Sequence, residues 1–140
     1  MLDNDRLRLV VREWIGKAEA DFQAATFLVK LGKKCPTEAA CFHAQQCAEK
    51  YLKALLVSAG ADFPKTHDLD RLIQLLPRTT PPLLAPAESA ELAVHAVAGR
   101  YPGSESVSLR DARRAVSLAR KVRRSARALF PLSAKRRVRS

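Results

Sequence analysis

Glycine occurs only five times in 140 residues, and aromatic side chains make up 6% of the chain. Sandwiches and barrels need frequent glycine-marked turns and runs of β-branched or aromatic residues, so all-β architectures are disfavoured. There are three cysteines, an odd number and too few for a disulfide framework. No apolar run approaches the roughly 18 residues that a membrane span needs. The opening stretch MLDNDRLRLVVREW lacks the apolar segment of a signal peptide. These absences point to a cytoplasmic chain with reduced thiols and no membrane partner. The phosphate-cradling patterns G-x-x-x-x-G-K-[ST] and G-x-G-x-x-G are absent, as is the G-x-S-x-G elbow of serine hydrolases.

What is present is ordinary for a globular chain: 47% hydrophobic and 28% charged residues, dominated by alanine, leucine, arginine and lysine. The length suits one domain. Helical periodicity runs through most of it. Val11, Trp14, Ile15, Ala18, Phe22, Ala25, Leu28 and Leu31 form one stripe over 5–31, ended by Gly32-Lys33-Lys34-Cys35-Pro36. A second helix is predicted from Thr37, as N-cap, to Gly60. Its apolar face is broad and built of small residues, which predicts close contact on two sides. A short helix is expected over 68–76, a proline-rich crossing over 77–86, and a helix over 87–98. Ser108 and Asp111 form a capping box at the start of a last helix. Its apolar stripe is Leu109, Ala112, Val116, Ala119, Val122, Ala126 and Leu129, and Pro131 ends it. The expected fold is an all-α bundle of five helices with the two long early helices antiparallel. The domain should span 1–131, followed by a basic, disordered tail over 132–140.

Charge is distributed unevenly. The net charge is +11, and from Arg110 onward there are twelve lysines and arginines against one acid, Asp111. The first 109 residues hold thirteen of each sign and are neutral. Arg110, Arg113, Arg120, Arg124 and Arg127 recur along one side of the last helix, opposite the apolar stripe, and should be exposed. Such a stripe suits a polyanion, with weak, salt-sensitive binding of single-stranded RNA because this helix has no aromatic platform before Phe130.

Constellations with catalytic spacing are few. His43 and Cys47 stand one helical turn apart, but zinc needs three or four ligands and no second pair appears, so no metal site is expected. No cofactor is expected either. Three polar groups remain. His43, Gln46, Lys50 and Lys53 follow helical spacing, with Gln45 and Glu49 beside them. Their plain structural account is a surface face with pairs such as Glu49–Lys53. Thr66-His67-Asp68 reads as a helix cap. Arg100-Tyr101-Pro102 reads as a loop with an aromatic anchor.

Together these blocks resemble the HEPN family. They are Trp14-x3-Ala18-x2-Asp21, CFHAQQCAEKYLKALL over 41–56, THDLDRLIQLL over 66–76, and AGRYPG ahead of the final helix. The resemblance covers about residues 8–130. It implies a five-helix up-and-down bundle that often forms homodimers. It also implies a minimal nucleotidyltransferase as partner, in a two-component, toxin–antitoxin-like pair, with a nucleotide as a further ligand. Many family members are metal-independent ribonucleases that use an Arg-x4-6-His motif at the start of a late helix. Here Arg100 falls at the motif's arginine, but positions 105, 106 and 107 are Glu105, Ser106 and Val107. The resemblance therefore implies a non-catalytic partner of a nucleotidyltransferase, with an RNA-binding or RNA-cleaving toxin as the alternative. The expected nucleotide- or partner-binding residues are His43, Gln46, Lys50, Lys53, His67, Arg100 and Tyr101. His43, Gln46, Lys50, Lys53 and Arg100 are expected around a polar cleft between the second and last helices. The homodimer is expected to use the wide face of the second helix with Tyr101 and Pro102.

Overall fold

The computed structural model describes residues 4–96, 102 and 106–130. Among the described residues five α-helices follow one another: α1 (Asn4–Val29), α2 (Thr37–Ser58), α3 (Leu69–Leu75), α4 (Pro86–Ala93) and α5 (Leu109–Leu129). There is no strand among the described residues.

The α1–α2 turn forms where expected. Gly32 takes φ +59°, in the left-handed region, and opens a single 3-10 turn. The long helices then run antiparallel. Thr37 is not the N-cap of α2: Pro36 holds that position in extended conformation, and Thr37 is already helical. Its hydroxyl instead donates to the Val107 carbonyl at 2.7 Å, fastening the start of α2 to the entry of α5. The far ends of α2 and α5 therefore also lie together, with α1 beside both.

The core is built around α2. Ala40, Ala44, Cys47, Ala48, Tyr51, Leu52 and Leu55 are buried, and their small average size lets α1 and α5 approach closely from two sides. Both sides expected for this helix are thus used within one chain. Pro102, expected with this face at a homodimer interface, is exposed.

The shorter elements cover one end. Asp68 caps α3, its carboxylate accepting from the Arg71 N–H at 3.2 Å. Leu83 and Leu84 in the proline-rich crossing are buried and pin it down. α4 ends at Ala93 rather than continuing to Ala98: the next bonds, from His95 to Leu92 and from Ala96 to Ala93, tighten to three-residue steps. At α5 the Ser108–Asp111 box forms both ways, at 3.0 and 3.1 Å. Leu129 is exposed and Phe130 takes the core position at the end of this helix. The tail boundary after residue 131 lies outside the described residues.

Candidate functional site

The polar residues of α2 sort into two clusters. In the first, Asp21 of α1 is buried between His43 and Lys50. One carboxylate oxygen lies 2.8 Å from His43 Nδ1, and the other accepts from Lys50 Nζ at 2.5 Å. Helical spacing explains the pairing: positions 43 and 50 are two turns apart and bracket one acid on the facing helix. In the second cluster, Glu49 is buried and accepts from Gln45 at 3.1 Å, from Lys53 at 3.1 Å, and lies 2.7 Å from His67 Nδ1. Gln46 donates to Gln45 at 2.7 Å. Lys53 also sits over the rings of Trp14 and Phe63, at 5.5 and 6.0 Å. Burial pushes the Glu49 carboxyl upward, but the bonds from His67, Gln45 and Lys53 outweigh it and hold the group below its ordinary range.

Of the residues expected around a cleft between α2 and α5, His43 lines a groove there while its Nδ1 is held by Asp21 of α1. Lys50 turns toward Asp21 of α1, and Lys53 is drawn to Glu49 on its own helix, because these buried carboxylates need cationic partners. Arg100 and Tyr101 lie outside the described residues. What α2 shares with α5 is a third cluster that sequence spacing does not reveal. Glu19 of α1 accepts from Tyr51 of α2 at 2.7 Å and from Arg123 of α5 through two bonds of 2.7 Å, with Arg127 at 3.4 Å. Burial raises the Glu19 carboxyl, yet the Arg123 and Tyr51 bonds outweigh it and leave the group below its ordinary range. Burial and the bond to Glu19 push the Tyr51 phenol well above its ordinary value, so it is a neutral donor. Cys47, close by, is raised by burial and by Glu19 and Asp21, and is an unreactive thiol.

The arginines of α5 divide accordingly. Arg110, Arg113, Arg120 and Arg124 are exposed, as expected. Arg127 is not: its side chain is 16% exposed and faces Glu19 and Tyr51. On the other flank, Arg114 pairs with Glu91 and Lys121 with Glu88 of α4, at 2.7 and 2.8 Å. Two lanes of cations thus tie α5 to its neighbours. The crest between them has no acidic partner within ion-pair distance among the described residues. Phe22 of α1 lies under this crest, with Arg120 at 5.4 Å and Arg123 at 4.7 Å from its ring.

A groove of about 670 Å³ opens where the N-termini of α2 and α5 meet, lined among others by Thr37, Phe42, His43, Ser106 and Val107. Among the described residues no three His, Cys, Asp or Glu side chains come together to hold a metal ion. Among the described residues no helix is long and apolar enough to cross a membrane.

The family model for the HEPN domain matches residues 11–129. The chain belongs to the HEPN domain family. Two solved structures share the HEPN bundle with it. The crystal structure of TT1696 from Thermus thermophilus superposes with a TM-score of 0.71 at 24% identity, over 86% of this chain and 98% of that one. The crystal structure of ST0689, an archaeal HEPN homologue, gives 0.64 at 27% identity, over 84% and 95%. No curated protein sequence matches it.

Glu49 is legible from helical spacing as the partner of Lys53, a pair the structure forms. Asp21 and Glu19 are the candidate-site residues that pattern reading alone does not single out; Asp21 stands within a block that carries the HEPN resemblance, which is the one sequence signal for it. Glu19 has none, since its partners lie more than thirty and a hundred positions away.

Proposed function

We propose that this HEPN chain is a non-catalytic subunit that binds a minimal nucleotidyltransferase in a two-component, toxin–antitoxin-like system. The observation that carries this reading is what stands where the family's proton-transferring histidine falls. Five to seven positions beyond Arg100 stand Glu105, Ser106 and Val107, none of which offers an imidazole. Val107 is buried, and its carbonyl is engaged by Thr37. Lys50 is held by Asp21, so a nucleotide phosphate at this site has to compete with a carboxylate already in contact. That turns the nucleotide expectation toward Arg100 as the cationic partner. Co-expression with the nucleotidyltransferase of the same host tests the reading. The expected result is a stoichiometric complex in gel filtration and no RNA cleavage by the HEPN chain alone. Separate elution, with cleavage that disappears in an Arg100→Ala variant, overturns it.

One observation favours the ribonuclease alternative. His43 lines the groove beside Ser106, and its Nδ1 is held by Asp21, which leaves Nε2 as the nitrogen free to move a proton. If RNA is cut in the presence of a chelator, His43→Ala should abolish the cutting while thermal unfolding stays cooperative.

A further inference from the structure

The crest of α5 repeats a chemistry that the same helix uses twice inside the bundle. On one flank, Arg123 and Arg127 take Glu19 of α1, with the Arg123 guanidinium held by two bonds of 2.7 Å. On the other flank, Lys121 and Arg114 take Glu88 and Glu91 of α4, at 2.8 and 2.7 Å. Each flank is an acid-bearing helix laid against basic residues of α5. Between the flanks run Arg110, Arg113, Ser117, Arg120, Arg124 and Ala128, at steps of three and four, and all six are exposed. None of these four arginines has a carboxylate within ion-pair distance among the described residues. Ser117 and Ala128 are small, and small residues along a row let another helix come close. At a rise of 1.5 Å per residue the row is about 27 Å long.

A basic row takes phosphates or carboxylates, and the surroundings of this one favour carboxylates. A phosphate chain held only by charge is released as salt rises. Single strands are held against that by bases stacked on open aromatic faces. The ring beneath the crest is Phe22, and Arg120 and Arg123 already lie against it, at 5.4 and 4.7 Å. Carboxylates on a helix, by contrast, suit the spacing, as Glu88 and Glu91 do on the α4 flank, where acids one turn apart take Lys121 and Arg114.

We infer that the row Arg110, Arg113, Arg120 and Arg124 docks an acidic helix of the nucleotidyltransferase partner, laid along α5 so that its backbone passes over Ser117 and Ala128. The inference rests on the reading that such a partner exists, and adds the face of this chain that it meets and the chemistry it brings. Arginine suits the role because its fork takes a carboxylate through two bonds, as Arg123 takes Glu19. The charge distribution fits as well. The first 109 residues are neutral and the positive surplus begins at Arg110, so the field of the chain draws an acidic partner to this end of the sequence.

Titration calorimetry of the whole chain with the nucleotidyltransferase of the same host, at physiological salt, tests this. The triple variant Arg113→Glu, Arg120→Glu, Arg124→Glu should bind at least about tenfold more weakly. Its helical signal should be unchanged, since all three positions are exposed. Lys65→Glu, Arg71→Glu, Arg78→Glu makes the same change in net charge at exposed positions on other elements. It should move the affinity less than about twofold, because charges beyond about 8 Å are screened. A carbodiimide joins amines to carboxylates in contact. Applied to complexes of Arg113→Lys and of Arg120→Lys, it should link the two positions to acids on one helix of the partner. No complex with the wild type overturns the inference together with the nucleotidyltransferase reading. A complex as tight in the crest variant as in the wild type overturns the inference alone, and RNA binding at physiological salt that this variant loses then assigns the crest to RNA. Equal weakening in the two triple variants overturns it, as do cross-links that fall on separate elements of the partner.

Discussion

Glu19 joins three helices through one carboxylate, accepting from Tyr51, Arg123 and Arg127. Its bonds are strong because they are charge-assisted and partly withdrawn from water. Neutralising it leaves two guanidinium groups short of a counter-charge, so Glu19→Gln should cost about 2 kcal/mol in urea unfolding. The same group sets a pH dependence. Its carboxyl, like that of Glu49, lies below its ordinary value in the folded chain. The stabilisation from ionised Glu19 and Glu49 is therefore complete above the ordinary carboxylate value of about 4.3 and is lost as pH falls through their lowered folded values. Urea midpoints measured from pH 7 to pH 3 should be level in this respect down to about pH 5 and then decline. The decline should be shallower in Glu19→Gln, which has one fewer such group to protonate.

At the scale of elements, two local devices terminate helices in ways that substitution can expose. Ser108 and Asp111 satisfy each other's backbone N–H groups at the head of α5. Ser108→Ala should lower stability by about 1 kcal/mol, read by thermal or urea unfolding. Gly32 sits at φ +59° with open space around it. A side chain there meets backbone strain rather than a clash, and Gly32→Ala should cost about 1 kcal/mol. Both devices are readable in the sequence, because a cap and a left-handed turn involve residues within four positions of one another. Two boundaries differ from the pattern. Thr37 has a hydroxyl suited to capping, but the helix starts one residue earlier, with Pro36 in the cap position, and the hydroxyl donates instead to the Val107 carbonyl across the bundle. The α4 pattern runs on to Ala98, whereas its hydrogen bonds tighten and stop at Ala93.

For the whole molecule, the surplus of positive charge resolves into ties and a free crest. Arg114, Lys121, Arg123 and Arg127 hold α5 against α4 and α1. Arg113, Arg120 and Arg124 face solvent. Single-stranded RNA should bind the chain at low salt and dissociate by physiological salt. Every arginine that neutralises a phosphate should add about 0.7 to the slope of log affinity against log salt. The triple variant Arg113→Ala, Arg120→Ala, Arg124→Ala should thus flatten that slope by about 2 while leaving the thermal midpoint nearly unchanged. Arg127→Ala should do the reverse, lowering the midpoint and barely moving the slope. Fluorescence titration of labelled RNA across a salt series, beside a melting curve for each variant, separates the two.

Helix number, helix faces and the α5 cap follow from the sequence by itself, because periodicity and capping are properties of neighbours a few residues apart. The HEPN resemblance likewise rests on contiguous blocks, and the family model over residues 11–129 agrees with it. Only the tertiary structure decided which charges are committed. His43 and Lys50 belong to Asp21, and Arg127 to Glu19 rather than to the exposed stripe. The physical reason is range. An ion pair forms within about 4 Å, and Glu19 and Arg123 are brought that close across 104 positions only by the way α1 and α5 pack.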